Sequence, residues 1–170
     1  MTPSRRFHLA QANIATMRAP LEDPIMEGFR SQLDRINALA DATPGFVWRL
    51  QTDAGDATGI RAYEDELILF NMSVWKSMEA LHAYVYRSAH AGPLRARRQW
   101  FVPTVGLTVV LWWIPAGHLP TVEEAKERFA WLKARGPSGD AFTFRSAHPP
   151  PGEPSIKLPE VDRALCASAL

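Results

Sequence analysis

Between Leu69 and His90 the hydrophobic pattern of this chain changes period, and that change leaves few choices for the fold. Ile68, Phe70, Met72 and Val74 alternate with Leu67, Leu69, Asn71, Ser73 and Trp75, as the side chains of a pleated strand must. From Ser77 the period lengthens to that of a helix, so a strand runs directly into a helix. Both sides of the strand are mostly apolar, and both are expected to be covered. Asn71 and Ser73, set among large apolar neighbours on one side, point to a greasy cavity that also requires a few hydrogen bonds.

Composition narrows the class. Hydrophobic residues make up 46% and charged residues 22%, the balance of a folded domain with a real core. At 170 residues, one domain over 5–145 and a Pro-rich C-terminal tail over 146–170 are expected. A net charge of +1 supplies no global field, which argues against nucleic acid and anionic lipid as partners. The single cysteine, Cys166, excludes an internal disulfide and a cysteine-built metal site. No apolar run reaches the length of a membrane span, and no signal-like segment opens the chain, so a cytoplasmic location is expected.

The remaining elements follow from local signals. Phe7 to Ile14 alternates as a first strand. Asp23-Pro24 is a helix start, and Ile25, Phe29, Leu33, Ile36 and Ala40 form the buried stripe of a helix that ends before Pro44-Gly45. Phe46 to Gln51 reads as a second strand, with Phe46, Trp48 and Leu50 on one face. Gly92-Pro93 breaks the helix after His90, and Leu94 to Phe101 restarts it with Arg95, Arg97 and Arg98 outward. Val109 to Ile114 is a fourth strand. Thr121-Val122-Glu123-Glu124 is a capping box, in which Thr121 and Glu124 each satisfy a free helix N–H, and Gly136-Pro137 ends that helix. Ala141 to Arg145 is a short last strand.

Strand, helix, strand, strand, helix, then strand, helix, strand follows the split β-α-β pattern of ferredoxin-like α+β folds, with an antiparallel sheet and helices on one face. The other face would then present Phe7, Leu9, Trp48, Leu50, Leu69 and Trp75 with nothing in the same chain to cover them. A homodimer with sheets face to face, a dimeric α+β barrel, would bury them around a shared lumen for a small-molecule ligand. Gln11, Asn13, Asn71 and Ser73 would project into it.

Several stretches together resemble a bacterial domain-of-unknown-function family, number 3291, in the dimeric α+β-barrel superfamily. They are His-Leu-Ala-Gln-Ala-Asn-Ile-Ala from His8, Pro-Gly-Phe-Val-Trp-Arg-Leu from Pro44, Ser-Val-Trp-Lys-Ser-Met-Glu-Ala-Leu from Ser73, Tyr-Arg-Ser-Ala-His from Tyr86, Leu-Trp-Trp-Ile-Pro-Ala-Gly-His-Leu-Pro-Thr from Leu111, and Gly-Pro-Ser-Gly-Asp-Ala-Phe-Thr-Phe from Gly136. The wider superfamily includes antibiotic-biosynthesis monooxygenases that use no metal or flavin, haem-degrading monooxygenases and stress-induced barrel proteins. The resemblance thus implies monooxygenase-like chemistry without a cofactor. Haem is the alternative it implies: Asn13, Val74 to Ser77, Tyr84 and His90 resemble the haem-degrading pattern, although Tyr84 stands where those enzymes have Trp.

His90 is the candidate acid/base, because an imidazole exchanges protons near neutral pH. Its plainer role would be a cation at a helix carboxyl end. Asn13 is the second catalytic candidate, and with Asn71 it would orient the substrate. Gln11, Ser73, Trp75, Tyr84 and Tyr86 complete the candidate binding set; the same polar residues could instead satisfy one another, and the aromatics could be core. His82, Tyr86 and His90 share a helix flank, but histidines eight residues apart lie about 12 Å apart along the axis, too far to share a metal. The resulting expectation is a small-molecule-binding barrel acting on an apolar or aromatic substrate by proton transfer. Its alternatives are a haem-binding or haem-degrading protein and a non-catalytic binding or stress-response dimer.

Overall fold

A computed structural model describes residues 6–87 and 96–154 of the chain. Strands β1 (Phe7–Thr16), β2 (Phe46–Arg49), β3 (Ile68–Trp75) and β4 (Val109–Pro115) form one antiparallel sheet in the order β2-β3-β1-β4. A single turn, α1 (Glu27–Arg30), and helix α2 (Leu33–Ala42) link β1 to β2; α3 (Met78–Arg87) follows β3, and α4 (Val122–Arg135) follows β4. The strand order is ferredoxin-like, as the element sequence predicts. The strand-to-helix switch falls where the period changes, and the Ser77 hydroxyl caps α3 by accepting the Ala80 N–H at 3.2 Å.

Local chemistry explains where the elements depart from expectation. The helix expected from Asp23 to Ala42 is broken. Asp23 caps only a short turn at Pro24–Met26, and the chain resets near Gln32, whose side chain donates to the Gly28 carbonyl at 2.7 Å in competition with the backbone. Thr121 caps α4 as expected, accepting the Glu124 N–H at 3.1 Å. The Glu124 carboxylate does not return to the cap; it accepts from Trp112 Nε1 at 2.9 Å and bonds His118 Nε2 at 2.8 Å, tying the helix start to β4. The last strand shrinks to a bridge between Leu111 and Phe142, and Pro-rich residues just past it pack on the domain, where the Trp113 indole donates to the His148 carbonyl at 2.8 Å.

The two sheet faces have different covers. Leu9, Trp75 and Leu111 face α2 and α3, joining Ala40, Met78, Leu81 and Val85 in one cluster. Ala10, Ala12, Phe70, Met72, Val74 and Trp112 face the other way, against Ala125, Phe129 and Leu132 of α4. The face expected to lie open is therefore the one under α2 and α3, and the reverse face has its own helix. Among the described residues each sheet face therefore carries a helix of its own chain, and Leu9 and Trp75 are buried without a second subunit. A bulge in β2 adds a further change: Phe46 pairs with Trp75 but Trp48 pairs with Val74, so the alternation flips and Trp48 joins the α4 side while Arg49 falls opposite Ser73.

Gly45, at φ +91°, turns the chain into β2, and a Cβ there would stand 2.5 Å from the Ala80 Cβ on α3. Gly45→Ala is expected to lower stability by about 1–3 kcal/mol in urea unfolding. Burial raises the Glu124 pKa, but the bonds from His118 and Trp112, with the charges of His118 and Arg128, outweigh it and hold the carboxyl below its ordinary range. A depressed carboxyl contributes stability above its unfolded pKa that is lost as pH falls through the folded one. Urea midpoints should therefore drop on acidification below about pH 4.3, and Glu124→Gln should flatten that drop.

Candidate functional site

Along the helix-covered face, β1 and β3 set side chains opposite one another in register: Leu9 with Trp75, Gln11 with Ser73, Asn13 with Asn71, and Ala15 with Leu69. The series passes from core to cavity. Trp75 is fully buried, its ring 5.1 Å from Tyr84 in a stack and 5.4 Å from Phe46 edge-on. Beyond the Asn pair the helix layer lifts away and leaves a cavity of about 140 Å³.

Its floor is Asn13, Ala15, Leu69 and Asn71. One wall is the inner stripe of α1 and α2, where Phe29, Leu33 and Ile36 face the void with Gln32 and Asn37 beside them. The opposite wall is the segment carrying Arg97, Trp100 and Phe101. That segment is laced to the end of β1: Arg18 N–H bonds the Trp100 carbonyl at 2.8 Å, and Val102 N–H bonds the Thr16 carbonyl at 2.8 Å. Phe29 closes the corner, edge-on to Phe101 at 5.0 Å and tilted against Trp100 at 6.0 Å. Gly28 permits that approach, since a Cβ there would stand 3.0 Å from the indole.

The third wall is the loop residues Asp56, Ala57 and Thr58. Asp56 Oδ1 accepts the Thr58 N–H at 2.8 Å and the Thr58 hydroxyl at 2.5 Å, which shapes the turn. Arg49, re-aimed by the bulge, holds this loop in place. Its guanidinium pairs with Asp41 of α2 at 2.8 Å and donates to the Gly55 carbonyl at 2.7 Å. The lining thus brings one cation, Arg97, whose pKa burial lowers, and one carboxylate, Asp56, to a mostly apolar cleft.

Among the residues expected to form a site, Asn13 and Asn71 line the cavity. Gln11 and Ser73 lie one step behind them in a buried chain of hydrogen bonds: Trp75 Nε1 to Ser73 Oγ at 2.9 Å, Ser73 Oγ to Gln11 Oε1 at 2.8 Å, and Gln11 Nε2 to Asn13 Oδ1 at 2.8 Å. Trp75 and Tyr84 sit in the core; burial raises the Tyr84 pKa, and its hydroxyl donates to the Ile36 carbonyl at 3.4 Å, joining α3 to α2. Tyr86 packs away from the cavity, 4.6 Å from His82 and 5.8 Å from Phe144. His90 lies outside the described residues. Among the described residues no group of three His, Cys, Asp or Glu could hold a metal ion, and no helix is long and apolar enough to cross a membrane.

Sequence reasoning missed Asp56, Thr58, Gln32, Asn37 and the lining role of Arg97, Trp100 and Phe101. Gln32 and Asn37 carried a signal, being amides beside the apolar stripe of one helix. The loop residues carried none, because only the tertiary fold brings them over the sheet.

The profile of a family described as a domain of unknown function, DUF3291, matches residues 8–158. No curated protein matches the chain. Two solved structures of SnoaB, a cofactor-independent oxygenase from Streptomyces nogalater, are similar to it. A single-site mutant gives a TM-score of 0.44 at 16% identity, and a second structure gives 0.41 at 17%, each aligning 66% of this chain with 95% of theirs.

The Arg49 clamp carries a testable consequence. Arg49→Met should leave the sheet intact while loosening the loop wall, read as faster amide hydrogen exchange confined to residues near 52–58. Unchanged exchange there would show that the clamp does not hold the loop.

Proposed function

We infer that this chain, which belongs to the DUF3291 family, is a small-molecule-binding protein whose cavity takes an apolar or aromatic compound of about one ring. One observation carries this reading: a cleft of about 140 Å³, reached by solvent, lies between an aromatic wall and two strand asparagines, one of them, Asn13, buried and the other, Asn71, exposed. A cavity of similar volume in another protein admits benzene. Phe29, Trp100, Leu33 and Ile36 offer the apolar contact, and Asn13 and Asn71 offer polar anchoring at the floor.

Catalysis in this reading is proton transfer to or from the bound compound. Asp56 supports it as the one carboxylate of the lining: its Oδ1 is occupied by Thr58, and no hydrogen bond engages its Oδ2 among the described residues. Among the described residues the lining offers no His, Cys, Met or Tyr that could serve as a haem axial ligand.

Titration with p-xylene or indole, followed by isothermal calorimetry and thermal unfolding, tests the binding reading. At tenfold its Kd, a ligand that binds only the folded state adds about 1.4 kcal/mol, a rise of roughly 3–6 °C in Tm. Leu33→Trp, which fills the void from α2, should abolish saturable binding without lowering the urea midpoint. Equal responses from both proteins would overturn the cavity as the site.

A further inference from the structure

We propose that Gln11 and Ser73 are positioning residues that turn the Asn13 amide so that its N–H bonds face the cavity, making the site select a ligand oxygen that accepts hydrogen bonds, a carbonyl or an oxyanion. This rests on the binding reading above and adds to it the polarity of the group bound.

The direction of the hydrogen-bond chain is anchored at its buried end. An indole N–H can only donate, and Trp75, with no solvent exposure, donates to Ser73 Oγ at 2.9 Å. Ser73 is itself buried, so its hydroxyl proton needs a protein acceptor, which it finds in Gln11 Oε1 at 2.8 Å. With its oxygen committed, Gln11 offers Nε2 to its other neighbour and donates to Asn13 Oδ1 at 2.8 Å. Asn13 therefore has its acceptor occupied, and among the described residues no hydrogen bond engages its Nδ2. If Gln11 were reversed, two donors would meet at Ser73 Oγ and the Ser73 proton would be stranded in the core, so the geometry favours one polarity.

Asn71, directly opposite Asn13 in the β1–β3 register, reaches the same state by another route. Its Oδ1 accepts the Met72 N–H at 2.9 Å, leaving its Nδ2 as the remaining group. Two adjacent floor amides, Asn13 buried and Asn71 exposed at the cleft mouth, thus have their oxygens engaged, and among the described residues no hydrogen bond engages either nitrogen. A fixed donor, Asn13, beside a second amide in a mostly apolar cleft stabilises negative charge developing on an oxygen. The chain behind Asn13 supplies the fixing.

Acetophenone and α-methylstyrene test the polarity, since they are nearly the same shape and only the first carries an accepting oxygen. Wild-type protein is expected to bind acetophenone roughly five- to tenfold more tightly. In Ser73→Ala, Gln11 is free to turn, and the ratio should fall toward one while α-methylstyrene affinity is unchanged. A structural defect would weaken both probes together and leave the ratio intact, and that outcome overturns the positioning role. Equal affinities in wild type overturn the donor polarity while leaving the cavity reading in place; binding of neither probe removes both. Independently of any variant, NOEs in wild-type protein should join the Asn13 side-chain amide protons to the acetophenone methyl group. NOEs from those protons to Gln11 alone would place the Asn13 oxygen in the cavity and refute the proposal.

Discussion

The register of β1 between its two neighbours is the constraint on which the rest of this structure depends. β1 is bonded on both edges, to β3 and to β4, so its side chains can leave the sheet plane only toward one helix layer or the other. Ala10 and Ala12 go toward α4, where their small size lets the helix lie close to the sheet. Leu9, Gln11, Asn13 and Ala15 go toward α2 and α3. A slip of one residue would exchange these sets, driving two amides into the α4 core and losing the Gln11–Ser73 bond. The polar chain is thus a register device as well as part of the candidate site, because its members meet only when Gln11 lies opposite Ser73.

The β2 bulge does comparable work at the sheet edge. With unbroken alternation from Phe46, Arg49 would point to the α4 side, away from Asp41 and the Gly55 carbonyl. The extra residue returns Arg49 to the helix-covered side, within reach of Asp41 and the Gly55 carbonyl. Its side chain is only 12% exposed, so two bonds to Asp41 and one to a carbonyl offset the cost of burying a guanidinium. The cavity inherits its third wall from that arrangement: a glycine- and aspartate-rich loop with few apolar contacts of its own is held by a cation from the neighbouring strand.

How much of this was legible in the chain depends on which residues carry a periodic signal. The change of period at Ser77, the alternation of β1 and the Thr121 cap are local patterns, and each reappears in the structure. Which face a helix covers is not local. A ferredoxin-like order places its helices on one side and leaves Leu9 and Trp75 to be covered by a second copy of the chain, and periodicity alone cannot say which side the helices take or whether a later helix takes the other. The same gap explains Trp75 and Tyr84, whose residue types suit both a binding wall and a core; a stack at 5.1 Å with no exposure of Trp75 makes them core. The pairing of Asn13 with Asn71 lay within reach, since two alternating strands with amides at matching positions suggest a shared floor. Asp56 and Thr58 lay beyond it, because a loop carries no period from which its tertiary neighbour can be read.

The broken helix between β1 and β2 connects fold to site. A continuous amphipathic helix over those residues would press Phe29, Leu33 and Ile36 onto the sheet as one stripe and close the gap beneath them. The reset at Gln32 prevents this. Its side chain spends its donor on the Gly28 carbonyl, α1 and α2 become separate pieces, and the stripe meets the sheet fully only at Ala40, where α2 is buried. Toward its amino end the stripe faces a void floored by two amides rather than a packed surface. Apolar side chains held away from apolar partners forgo stabilisation that close packing would supply, and natural proteins break local rules of this kind mainly where function needs the space.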